Sequence, residues 1–194
     1  MNNRQGSKKE IITIAGKPGS GKSTTANAVA KMLNYQRFSS GDFMRDIAKK
    51  RDVTLERLGH IAETDRTIDE EVDERLRQIG IAEDKLVIDS RLAFHWIPSS
   101  FKVYLELDLA IAADRIFTED NEARKASGEI AATKDEMYAS LAQRLASEQK
   151  RYYSLYQIDP YNTIHFDLVV DTSHDRPEHV AILIISAYKK WLEN

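Results

Sequence analysis

The sequence contains no cysteine among its 194 residues. Disulfides, thiolate zinc sites and cysteine nucleophiles are therefore excluded, and the absence accords with a reducing cytosol. Nor is there a long hydrophobic run. The longest apolar stretches, IITIAG and VAILIISAY, fall far short of the ~20 residues that span a bilayer. The first ten residues, MNNRQGSKKE, are polar and lack the apolar run of a signal peptide. A membrane partner is thus not expected, and the chain is expected to be cytoplasmic. No large excess of charge exists either: 28 Lys and Arg stand against 31 Asp and Glu, a net charge of −3. With cations spread along the chain, a nucleic-acid surface is not indicated. There is no internal repeat, no low-complexity tract and no linker between two cores. Length and composition fit one soluble globular domain, expected to act as a monomer.

What is present alternates between β-like runs and helical patterns, the signature of an α/β domain with a parallel sheet. Ile11–Ala15 is apolar and β-branched, as in a strand covered on both faces. Lys22–Leu33 then places Ala26, Val29, Ala30 and Leu33 on one helical stripe. Tyr35–Ser39, Lys85–Asp89, Lys102–Leu107 and Leu168–Asp171 are further strand candidates. Residues 42–79 are expected to form three charged helices. Ala110–Phe117, Asp135–Tyr156 and Pro177–Leu192 are also expected to be helical, the last with proline in its first turn. Residues 118–133 lack apolar periodicity and are the candidate mobile segment. The fold expected is a P-loop domain, a five-stranded parallel sheet with helices on both faces.

Gly16-Lys17-Pro18-Gly19-Ser20-Gly21-Lys22-Ser23, with Thr24 next, fits G-x-x-x-x-G-K-[ST] between a buried-type strand and a helix. Phosphate oxygens need many donors in a small concave space. Glycines let backbone N–H groups point inward, and the following helix adds its positive end. Lys22 is expected to bridge the β- and γ-phosphates of ATP, and the Ser23 hydroxyl to ligate Mg²⁺. Asp89, closing its strand, is the candidate carboxylate for the Mg²⁺ shell, acting through water. The loop at Thr172 and Ser173, after the similar Asp171, is expected to touch the base of ATP. Arg45 and Arg91 follow strand ends, where ligands collect in open parallel sheets. Each can fork onto the phosphate of an acceptor, or remain a solvated surface charge. Arg144 and Arg151 lie seven apart on one helix, hence on one face, with Glu148 between them. On spacing alone, a solvent-facing salt-bridge row is the better reading of that pattern. The five histidines show no metal-ligand spacing, and Tyr152, Tyr153 and Tyr156 read as packing residues.

Taken together, GKPGSGKST at 16–24, FSSGDFMRDIA at 38–48, IDEEVDERL at 68–76, VIDSRLA at 87–93, RI at 115–116, EQKRYYSLYQID at 148–159 and DLVVDTS at 167–173 resemble the cytidylate kinase family. The resemblance is to its shorter, archaeal-like form among the nucleoside-monophosphate kinases. It implies ATP-dependent phosphorylation of CMP or dCMP with Mg²⁺, a helical acceptor-binding insert at about 42–79 and a lid at about 118–133. It also implies that Ser39, Asp42, Arg45 and Arg91 line the monophosphate pocket, and that Asp69 and Asp73 lie on the insert closing over the acceptor. Arg115, Arg144 and Arg151 would meet the transferring phosphoryl group. The chain departs from the family where Glu119 and Asp120 follow Arg115-Ile-Phe-Thr, and the segment after them is longer than usual. Arg124 or Lys125 would substitute for the missing lid arginine. Phe94-His95 replaces a small residue and would reshape the acceptor pocket. Two alternatives stay open: another acceptor (AMP, UMP or a non-nucleotide), or a nucleotide-binding regulatory module without transferase activity.

Overall fold

The computed structural model describes residues 9–118 and 131–193. Five parallel strands form one sheet in the order β2-β3-β1-β4-β5: β1 Ile11–Gly16, β2 Gln36–Ser39, β3 Leu86–Asp89, β4 Phe101–Glu106 and β5 Leu168–Asp171. β1 lies at the centre, pairing with β3 from Ile11↔Leu86 and with β4 from Ile12↔Phe101. All six residues of β1 are buried, because successive side chains enter opposite faces and both faces are covered. Ile12 and Ile14 pack with Ala26 and Val29 of α1 (Lys22–Leu33) and with Val180, Ile184 and Tyr188 of α8 (Pro177–Glu193). Ile11 faces the other way, into a cluster with Ile47, Leu58, Ile68 and Leu76. Those four come from α2 (Ser40–Lys50), α3 (Leu55–Ala62) and α4 (Thr67–Ala82), which lie between β2 and β3.

The remaining helices are the one-turn α5 (Ala93–Trp96), which sequence periodicity did not reveal, then α6 (Leu109–Thr118) and the 23-residue α7 (Lys134–Tyr156). α6 and α7 share a core of Ala112, Ile116, Met137 and Leu141. Thr133 caps α7 by accepting from the Glu136 N–H at 3.2 Å, the hydroxyl cap expected of a helix start. The expected elements recur with boundaries shifted by at most three residues, and Lys22–Leu33 and Leu168–Asp171 recur unshifted. Most of the expected lid, with Glu119, Asp120, Arg124 and Lys125, lies outside the described residues.

In a parallel sheet the C-terminal strand ends share one rim. Gly16, Ser39, Asp89, Glu106 and Asp171 end their strands there, so the loops that carry the motifs converge above one edge.

Candidate active site

Between β1 and α1 the chain folds into the phosphate-type loop. Gly16 has φ 145° and stands so close to the Leu105 carbonyl of β4 that a Cβ would lie 2.5 Å from that oxygen, which only glycine permits. Gly21, at φ 80°, forms the N-cap of α1 with no side-chain cap, and the first turn holds no acidic residue. The amide donors of that turn are thus not claimed by a neighbouring side chain, the condition for binding an anion at a helix N-terminus. Ser20 Oγ donates to the Lys17 carbonyl at 2.9 Å. Lys22 Nζ donates to the same carbonyl at 2.7 Å. Burial holds the Lys22 ammonium down at about 7, Arg91 adds to the effect, and Asp89 and Glu148 oppose it.

A cavity of about 550 Å³ opens over this loop, within the range of small-ligand sites. Pro18, Gly19, Gly21, Lys22, Ser23 and Thr24 line one part of it. Ser39, Asp42, Arg45, Asp69, Asp73, Asp89, Arg91, Arg144 and Arg151 are among the residues that line other parts. Residues from five separate segments are therefore gathered around one hollow. Gly16, Lys17 and Ser20 lie behind the loop rather than on the cavity wall, with Lys17 paired to Glu106 at 3.2 Å.

Asp89 is buried and both its oxygens are engaged: Ser39 Oγ donates to Oδ1 at 2.8 Å and Arg37 Nε donates to Oδ2 at 3.0 Å. Arg37 also reaches Asp42 at 3.5 Å, and Asp42 in turn pairs with Arg45. Sequence reading passed over Arg37 because it precedes the strand end by two residues. Its strand register opposite Val87 puts Asp89 within reach.

The helical row on α7 is not solvent-facing. Arg151 Nε lies 2.7 Å from Asp69 Oδ2, with side chains 9% and 4% exposed. Tyr156 donates its hydroxyl to Asp73 Oδ2 at 2.5 Å, and Ser147 to Glu63 Oε1 at 2.6 Å. Three contacts thus link α7 to the segment between β2 and β3. Burial pushes the Asp69 carboxyl up to about 6, against the pull of Arg151, and Asp73 adds to the rise. Burial also raises Asp73. Glu148, one turn from both Arg144 and Arg151, is buried as well. Arg144 Nε donates to its Oε1 at 3.1 Å, Arg91 Nε lies 2.5 Å from Oε2, and Tyr161 donates to Oε2 at 2.5 Å. Burial alone would raise this carboxyl, but Arg91 and Arg144 outweigh it and hold it at about 2. The Arg91 and Arg151 contacts are ion pairs whose N–H directions miss the oxygens.

Four further groups of expected residues are placed by the structure. Arg115 does not line the cavity; its Nη2 donates to the Thr172 and Ser173 carbonyls at 2.6 and 2.8 Å, because its place on α6 faces the loop after β5. The Thr172 side chain is buried and donates to Ser20 O at 3.3 Å and Glu106 O at 3.1 Å. Ser173 Oγ donates to Asp171. Both side chains are therefore committed within the protein. Phe94 is buried against Phe166 and stacks on His165, and His95 packs on Trp96; neither lines the cavity, so neither reshapes it directly. Tyr153 is 57% exposed and is not a core residue.

The chain matches the family described as "AAA domain" over residues 12–137. It is 34% identical to a cytidylate kinase of Halobacterium salinarum, covering 91% of this chain and 88% of that one. It is 37% identical to the cytidylate kinase of Thermoplasma volcanium over 90% and 89% of the two chains. It belongs to the cytidylate kinase family. Solved structures share the fold at lower identity. Shikimate kinase from Acinetobacter baumannii aligns with a TM-score of 0.59 and 16% identity over 95% of both chains. An uncharacterized protein from Eubacterium ventriosum aligns with a TM-score of 0.65 and 16% identity, covering 93% and 99%. Among the described residues, no helix is long and apolar enough to cross a membrane.

Proposed function

We propose that this family member transfers the γ-phosphoryl group of ATP to CMP or dCMP, giving ADP and CDP or dCDP. The observation that carries the reading is a single cavity joining the phosphate loop to a pocket of arginines and buried carboxylates. Phosphoryl transfer leaves little covalent work for a protein; it needs charge stabilisation and in-line placement. Lys22, the amides of residues 19–24 and the start of α1 hold the donor phosphates. Arg45 and Arg91 hold the acceptor phosphate, whose oxygen is already anionic and needs no general base. Arg144 and Arg151, which also line the cavity, stabilise charge on the transferring group. Asp69 and Asp73 face the acceptor from α4. Arg115, turned toward Thr172 and Ser173, belongs to the ATP base end rather than to the transferring phosphoryl.

Mg²⁺ fits the donor set. Ser23 and Asp89 both line the cavity, and among the described residues no cluster of three or more His, Asp or Glu forms a protein cage. Such a sparse set suits an ion that keeps its waters and binds chiefly through substrate phosphates. Ser23 would hold it directly and Asp89 through water; when bound it neutralises phosphate charge.

The test is an acceptor panel. Coupled assays with CMP, dCMP, UMP and AMP are expected to show the highest kcat/KM for CMP or dCMP. Turnover favouring AMP or UMP would reassign the acceptor. Binding of ATP without turnover of any monophosphate would replace the enzyme by a regulatory nucleotide-binding module.

A further inference from the structure

Arg91 and Arg144 bring two permanent cations to the cavity wall that also holds Lys22 before any anion arrives, and both add to the lowering of Lys22 that burial begins. Unaided, such groups repel one another and rotate apart, and placing them again would cost the reaction its preorganisation. One carboxylate prevents this. Glu148 is 7% exposed, and it meets Arg91 through one oxygen and Arg144 through the other. Tyr161 anchors the Arg91-facing oxygen from outside the helix, so the carboxylate plane is itself fixed. Both arginine contacts are made at Nε, one of the five N–H donors in each guanidinium fork. The hydrogen bond from Arg144 Nε orients that fork at its stem, and the ion pair at Arg91 Nε holds the other charge beside the same carboxylate.

We propose that Glu148 is a positioning residue: it ties Arg91 and Arg144 together so that the acceptor-phosphate site and the transfer site are set as one unit. This deepens the kinase reading and rests on it for the roles of the two arginines. Glu148 touches neither substrate in this account, and its whole effect passes through the two guanidinium groups.

The experiment uses the full chain labelled with ¹⁵N-arginine, with the Nε–H signals of Arg91 and Arg144 assigned by Arg91→Lys and Arg144→Lys. The wild type is expected to show both signals protected from exchange. Glu148→Gln, of equal size without the charge, is expected to shift and broaden both together. Glu148→Asp, one methylene short, keeps the charge but cannot span both arginines, and is expected to move at least one. In kinetics, Glu148→Gln is expected to lower kcat about 30-fold or more with KM for ATP within about threefold. Arg91→Lys is expected to cost about tenfold in the wild type but no more than about twofold in Glu148→Gln, because the pair is already uncoupled. Arginine signals unchanged in both Glu148 variants would overturn the proposal, as would a Glu148→Gln enzyme within threefold of wild-type kcat. If the wild type turned over no monophosphate, the kinase reading would fail on its own, and the arginine spectra would still decide whether Glu148 holds the pair.

Discussion

Lys22 sits where an ammonium is expensive until phosphates arrive. Its folded value near 7 lies below the ordinary 10.5, so between these limits the empty native state binds less proton than the unfolded chain. The apo protein therefore gains stability from this group as pH rises from about 7 towards 10.5. Triphosphate binding reverses the balance, because an opposite charge favours the ammonium. Titration calorimetry with ATP at pH 8, in buffers of different ionisation enthalpy, is expected to show net proton uptake approaching one per site. In Lys22→Met that uptake is expected to vanish. The loop around Lys22 was legible in the sequence because all its parts are neighbours along the chain. Glu148 was visible only as the middle of a helical charge row, since its decisive partners, Arg91 and Tyr161, come from other segments.

The contact between α4 and α7 shows the same contrast at the scale of elements. Helix existence was readable from apolar periodicity on each: Ile68, Val72 and Leu76 on α4 are all buried. Which polar residues turned inward was not, because Asp69 and Arg151 are 82 positions apart in the sequence. An acidic run such as Asp65–Glu74 reads as solvated face unless the facing helix is known. The pair makes a signed prediction. In Arg151→Ala the buried Asp69 loses its counter-charge, a change that costs about 3–5 kcal/mol when the remaining charge cannot be relieved. Asp69 already sits up at about 6, and without Arg151 it rises further. A carboxyl whose folded value is raised loses stability as pH climbs above its unfolded value. Denaturant titrations of Arg151→Ala against wild type are therefore expected to give a larger deficit at pH 8 than at pH 5. An equal deficit at both would remove the carboxylate from the explanation.

Across the whole molecule, the order of the strands was not legible in the sequence, but five parallel strands ending on one rim follow from five strand-like runs separated by helical ones. The course of residues 119–130 does not, since no periodicity marks them. α8 supplies Val180, Ile184 and Tyr188 to the same core as β1, each no more than 1% exposed. At about 1.5–3 kcal/mol per buried large side chain, these three alone amount to roughly 5–9 kcal/mol, comparable with the ~5–15 kcal/mol that separates folded from unfolded domains. A chain ending at Arg176 is accordingly expected to show no cooperative thermal transition by calorimetry.

The bond from the Thr172 hydroxyl to the Ser20 carbonyl joins positions 152 apart, one in the first motif to leave the ribosome and one near the last. During synthesis the phosphate loop therefore emerges well before this brace, which exists only once residue 172 has been translated. A nascent chain that carries the complete motif but has not reached residue 172 lacks that support beneath the loop.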